Sequence, residues 1–253
     1  MVNRKDILKV MSIILITLYR KYNLLLYGIE KDMPIAELFL QNIFSGNPSR
    51  KDTDIIVVMF GLFETVIFNL LFGSYIYHDL YENSAYIFVR QKSRKSWFAR
   101  KSMELLLYCI FYNFLFIGIT FGLCVSYSNQ KIDFTAVKIL ILTYVFITLF
   151  TFWTALLVNI TAMVAGATTS FIATYIVLTF FSAIAVEFEA IPIINRFPIL
   201  LKLNPVANVI INWNDEIGSG LQPVVYFIIL CVLTCAVGCI LVSRLDISIK
   251  NRE

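Results

Sequence analysis

Histidine is nearly missing from this chain: His78 is the only one in 253 residues. A single imidazole excludes HExxH and the related His-paired metal motifs. No GxxxxGK[ST] run occurs, so the chain has no P-loop of its own in which to hold ATP. There is no CxxC pair, no CxxCH haem attachment, no Gly-rich dinucleotide fingerprint and no internal repeat. Gly218-Ser219-Gly220 falls short of the GxSxG elbow and has no base near it in sequence. Charge is scarce as well, at 15% of residues, and a net charge of +4 is too small to point to nucleic acid.

Apolar residues fill that space. They make up 59% of the chain, with a mean hydropathy of +0.78. A soluble domain of this length would have to leave large greasy patches in water to carry such a composition. Several uncharged runs reach the roughly 18–20 residues that cross a bilayer as helix. The expected fold class is therefore an all-α integral membrane protein in one transmembrane domain over residues 1–253, with six spans at about 7–26, 55–77, 103–126, 138–159, 167–186 and 223–243. The opening residues resemble a signal peptide, but Arg20-Lys21-Tyr22 follows where a small-residue cleavage site would be, so they read as an uncleaved first span. Cys109, Cys124, Cys231, Cys235 and Cys239 all sit in apolar runs. The last three share one helix face at four-residue spacing, which suits packing against a neighbour better than a metal or redox role.

Between spans 1 and 2, PIAELFLQNIF has Pro34 at a helix start and a one-sided apolar pattern, the mark of a short interfacial helix. From Ile139 to Val186 there is no charge in 48 residues. As one helix this would be about 72 Å long, more than twice the hydrocarbon thickness, so it must be a hairpin. Its turn belongs in Asn159–Ser170, around Gly166. Residues 187–222 are broken by Pro192, Pro198 and Pro205, which forbids a straight span. Asn204 and Pro205 read there as N-cap and first helical residue of a short helix, and the segment as two short helices dipping into the outer leaflet.

Two features carry the functional reading. The first is Glu64, with Asn69, inside span 2. A carboxyl within a bilayer is costly, so it either lines a translocation surface or is held by a hydrogen bond from Asn69, Asn113 or a Thr of another span. The second is the segment 79–101, where Arg90, Lys92, Arg94, Lys95, Arg100 and Lys101 fall within twelve residues. Tyr86–Val89 and Trp97–Phe98 form two apolar clusters beside that charge. A plain connector, or a patch for anionic lipid headgroups, accounts for the charge and leaves the apolar residues unexplained. A docking site for a soluble partner accounts for both. The dense basic cluster also sets orientation, with both termini and the 79–101 loop in the cytoplasm and residues 187–222 outside.

This layout resembles the permease subunit of ABC type-2 exporters. The residues that carry the resemblance are the basic amphipathic segment after span 2, the uncharged hairpin and Asn204-Pro205 in the outer segment. In that family the segment between spans 2 and 3 is a coupling helix seated on a separate ATPase. The resemblance assigns ATPase coupling to Tyr81, Glu82, Tyr86, Ile87, Phe88, Arg90 and Arg94, a translocation surface to Glu64 and Asn69, and an outer re-entrant motif to Asn204 and Pro205. It implies cytosolic ABC ATPase subunits as partners, a second permease copy or a paralogue, contact with membrane lipid, and residence in a bacterial plasma membrane. It also implies that this chain is no enzyme and binds no cofactor or metal, with ATP and Mg held by the partner. Small permeases of this kind serve export of, or immunity to, antimicrobial or cytolytic peptides, as in phenol-soluble-modulin exporters. The alternatives are an intramembrane enzyme built on Glu64, or an anchor or sensor that recruits a soluble protein through its basic loop.

Overall fold

The computed structural model describes Leu15, Leu18, Tyr19 and Tyr22, and residues 32–44, 54–90, 93–188, 196–211, 213 and 222–244; for 83–90 and 198 it describes the backbone alone. Those residues form helices α1 (Ile35–Phe44), α2 (Ile55–Gly61), α3 (Phe63–Phe72), α4 (Tyr75–Arg90), α5 (Arg94–Tyr127), α6 (Phe134–Ala165), α7 (Ala167–Val186), α8 (Pro198–Lys202), α9 (Pro205–Val209) and α10 (Gln222–Arg244). No strand occurs among the described residues. Four helices, α5, α6, α7 and α10, are long and apolar enough to cross a membrane, and a fifth span results when α2 and the helix that follows it are taken together. The chain is an all-helical, multi-pass membrane protein. The first expected span is described only at Leu15, Leu18, Tyr19 and Tyr22, each helical, and otherwise lies outside the described residues.

The uncharged run folds back on itself at Gly166. Its φ of 85° is the left-handed conformation that glycine adopts without a Cβ penalty, and it ends α6 and starts α7 with no residue between. α6 is the centre of the bundle: 61% of its most apolar window is buried, against 33% for α5, 28% for α7 and 22% for α10. Phe150 of α6 meets Phe227 of α10 edge to face, with ring centroids 5.9 Å apart. At the Gly166 end the start of α5 and the end of α10 close on α6, and Gly238 is what lets them. A Cβ at Gly238 would lie 2.3 Å from Phe98 Cζ and 3.0 Å from Ile160 Cδ1. Outward, Met103, Leu107, Phe111 and Phe114 on α5 and Val225, Ile229, Val232 and Ile240 on α10 are exposed at helical spacing. Such apolar stripes suit hydrocarbon around the bundle.

The second span departs from one straight helix. α2 meets the run Phe63–Glu82, which is α3 and the first half of α4 taken together, at 49°, and Gly61 marks the bend because a Cβ there would sit 3.0 Å from the main-chain oxygen of Phe44. The bend follows from how closely the end of α1 approaches. α1 itself differs from a helix lying on a surface, since Ile35, Ala36, Leu38, Phe39, Leu40, Asn42 and Ile43 are all buried. It packs against α2, α5 and α6. At that same end of the bundle Ser128 Oγ donates to Met33 O at 3.5 Å. There too α8 and α9 fold under α7 and α10, with Tyr226 Oη donating to Leu203 O at 2.6 Å.

Candidate functional site

α3 stops at Phe72 and α4 starts at Tyr75, leaving Gly73-Ser74 as a joint in the chain. A helix start leaves main-chain N–H groups without intrahelical partners. Here they are met from across the bundle. Asn159 Oδ1 of α6 accepts from Ile76 N at 2.8 Å and from Tyr77 N at 3.2 Å. Its Nδ2 donates to Phe72 O at 3.5 Å and to Ala155 O at 2.8 Å. One carboxamide therefore caps both sides of the joint and ties it to the central helix. Ile76 and Leu80 are buried beneath it, while His78, Tyr81 and Glu82 are exposed.

The same turn of α4 is held on its other side by Lys101. Its Nζ lies 3.2 Å from Asp79 Oδ2 and 2.9 Å from Glu104 Oε2. Nζ also donates to Tyr75 Oη at 3.0 Å, and Tyr75 Oη donates to Glu104 Oε2 at 2.7 Å. So the first turn of α4 is gripped by α6 through Asn159 and by α5 through Lys101.

The basic segment thus divides in two. Tyr81, Glu82, Tyr86, Ile87, Phe88 and Arg90 lie on α4; the side chains of the last four are outside the described residues. Tyr81 stacks on Tyr77 with centroids 5.9 Å apart. α5 begins afresh at Arg94, with Ser93 Oγ accepting from Ser96 N at 3.4 Å. Arg94, Lys95, Arg100 and Lys101 fill its first two turns, and Trp97 and Phe98 are both buried, Phe98 against Gly238 of α10. Of the two apolar clusters, then, Trp97–Phe98 serves the chain's own packing.

Glu64 and Asn69 are both buried in α3, 2% exposed each. They point to different neighbours. Tyr112 of α5 donates to the main-chain oxygen of Glu64 at 3.0 Å. Asn69 Nδ2 donates to Thr154 Oγ1 at 3.0 Å and Tyr175 Oη at 2.8 Å, and Thr65 Oγ1 lies 3.3 Å from Thr151 Oγ1. A polar seam thus runs down α6, through Thr151, Thr154 and Asn159, and fastens α3 and α4 along it. Asn69 Oδ1 is left without a hydrogen-bond partner in this seam.

Asn204 is the N-cap of α9: Oδ1 accepts from Val206 N at 2.9 Å and Ala207 N at 3.2 Å, and Nδ2 donates to Phe181 O at 2.7 Å. Pro205 takes the first helical position, where its missing N–H costs nothing. Residues 189–195, 212 and 214–221 of the outer segment lie outside the described residues.

All five cysteines are free. Cys231 Sγ donates to Leu149 O at 3.7 Å and Cys239 Sγ to Lys95 O at 3.9 Å, which are helix-packing contacts. Among the described residues no cluster of His, Cys, Asp or Glu has the makings of a metal site. From sequence alone Asn159 is the edge of the hairpin turn and, with Asn69 and Asn113, a polar residue that joins helices, without a named partner; Lys101 is one more basic residue of the loop. Their contacts to the start of α4, 82 and 83 residues away for Asn159 and 22 to 26 residues away on another helix for Lys101, leave no local signal. No protein-family model, curated protein or solved structure matches this chain.

Proposed function

We propose that this chain is the membrane-spanning subunit of an ATP-driven ABC exporter, with α4 as the element that a separate cytosolic ATPase grips. The observation that carries the reading is the joint at Gly73-Ser74. It sets a helix of 16 residues, Tyr75–Arg90, at the end of a bent membrane-crossing element and ties its first turn to the central helix. A loop that only joined two spans would need no such helix and no cap from Asn159. The reading places six spans in a bacterial plasma membrane, both termini and α4 in the cytoplasm, and α8 and α9 toward the outside. Two permease copies, or this chain and a paralogue, form the pore. ATP and Mg are held by the partner, this chain binds no cofactor, and it is not itself an enzyme.

ATP-driven closure of the ATPases moves α4, and α4 acts on α6 through Asn159. The buried Thr and Asn seam with Glu64 opens as a translocation surface, and an amphipathic antimicrobial or toxin-like peptide leaves between the half-pores or sideways into the bilayer. A pore wall of Thr, Asn, Tyr and Phe with one carboxyl suits such a cargo. The test is reconstitution with a cytosolic ABC ATPase that co-purifies with this chain in mild detergent. ATP hydrolysis stimulated by an amphipathic peptide, with the peptide moved across the vesicle membrane, supports the reading. Turnover of a lipid or peptide by the chain alone, without an ATPase, contradicts it and favours an intramembrane enzyme.

A further inference from the structure

The two grips on the first turn of α4 differ in kind. Asn159 uses both carboxamide atoms on main-chain groups of Phe72, Ala155, Ile76 and Tyr77, and these groups are buried or half-buried, so releasing them strands N–H and C=O groups. Lys101 is arranged otherwise. Its ammonium holds Asp79 of α4, but it also holds Glu104 three residues along its own helix. If Asp79 moves off, Lys101 keeps a carboxylate at 2.9 Å, and Asp79, whose side chain is 24% exposed, moves toward water. No charge is left buried without a counter-charge on either side of that exchange, which is the condition for a cheap, reversible ion-pair switch.

We infer that the Lys101–Asp79 pair is a releasable latch that sets the tilt of α4, with Asn159 and Gly73-Ser74 as the pivot that stays made. The inference rests on the exporter reading only for what opens the latch, namely a load placed on residues 81–90 by the docked ATPase. The latch itself is a property of this chain.

The measurement is a pulsed electron–electron distance between nitroxides at Glu82→Cys on α4 and Thr168→Cys at the start of α7, both exposed positions. It uses the full-length chain without its native cysteines, in lipid nanodiscs and with no ATPase present. A second pair, Ser96→Cys with Thr168→Cys, reports whether α5 and α7 keep their places. The latch predicts one narrow distance for the first pair, a second population when Asp79→Asn is added, and return to one population with Asp79→Glu. The Ser96 pair is predicted to stay unchanged throughout. An unchanged distribution in Asp79→Asn overturns the latch, as does failure of Asp79→Glu to restore it. Movement of the Ser96 pair also overturns it, because the ion pair is then a brace for the whole bundle end. Since no ATPase takes part, these results are independent of whether one docks.

Discussion

Asn159 Oδ1 accepts the main-chain N–H of Ile76 at 2.8 Å across 83 residues of sequence, so the central helix of the bundle caps a helix it is not joined to. That one bond, with its companions at Tyr77 and Phe72, fixes where α4 begins.

Replacing Asn159 by Leu keeps the branching and the heavy-atom count and removes every one of these bonds. Each buried main-chain group left without a partner costs about 1–3 kcal/mol. Asn159→Leu is therefore expected to lower the melting temperature in detergent far more than Thr161→Val one half-turn away, whose hydroxyl only returns to its own helix at Leu157 O. Equal melting temperatures for the two variants would remove Asn159 from the account.

Gly238 offers a packing test. A Cβ there would fall 2.3 Å from the Phe98 ring, so Gly238→Ala forces the ring aside at a cost of about 1–3 kcal/mol. Phe98→Leu frees part of that space. The double variant is expected to be more stable than the sum of the two single losses, by a coupling that thermal unfolding reads directly. Strict additivity would mean that α5 and α10 do not meet as described.

Orientation is tested at the two ends of α5. Ser96 and Lys131 are exposed at opposite ends of the bundle. On the proposed orientation, which puts the basic α4–α5 end in the cytoplasm, an impermeant maleimide applied outside the cell is expected to label Lys131→Cys and to spare Ser96→Cys. Labelling of Ser96→Cys alone reverses the topology.

Glu64 is expected to serve transport more than folding. A buried carboxyl is an expensive way to fill space that Gln or Leu would fill. Glu64→Gln is predicted to fold like the native chain and to export more slowly. Native export rates in Glu64→Gln would assign Glu64 to packing with Tyr112.

Much of this architecture is legible in the sequence where the signal is local. The uncharged 139–186 run is too long for one crossing, and Gly166 is the residue that permits the turn. Asn204-Pro205 carries its cap and first helical residue side by side. The bend at Gly61 is not legible, because its cause is the main chain of Phe44, brought close by the burial of α1. Nor is the fate of the basic segment: its dense charge hides that Trp97 and Phe98 belong to the core and that Lys101 turns inward to Asp79 and Glu104. Polar residues inside spans show that something must satisfy them, and only the packed bundle shows which residue satisfies which.

The central claim is that α4 docks a separate ATPase, and Phe88 on α4 tests it most directly. Aromatic residues commonly dominate interface energetics. Phe88→Ala is expected to weaken ATPase association by about 1–3 kcal/mol, roughly five- to a hundredfold in Kd, with membrane insertion intact because the basic residues remain. Arg94→Ala with Lys95→Ala, on α5 and off the docking helix, is expected to keep the ATPase. The measurement is co-purification of the ATPase in mild detergent with each variant. Loss with Phe88→Ala and retention with the Arg94/Lys95 pair is the predicted result; retention with Phe88→Ala and loss with the pair contradicts the account.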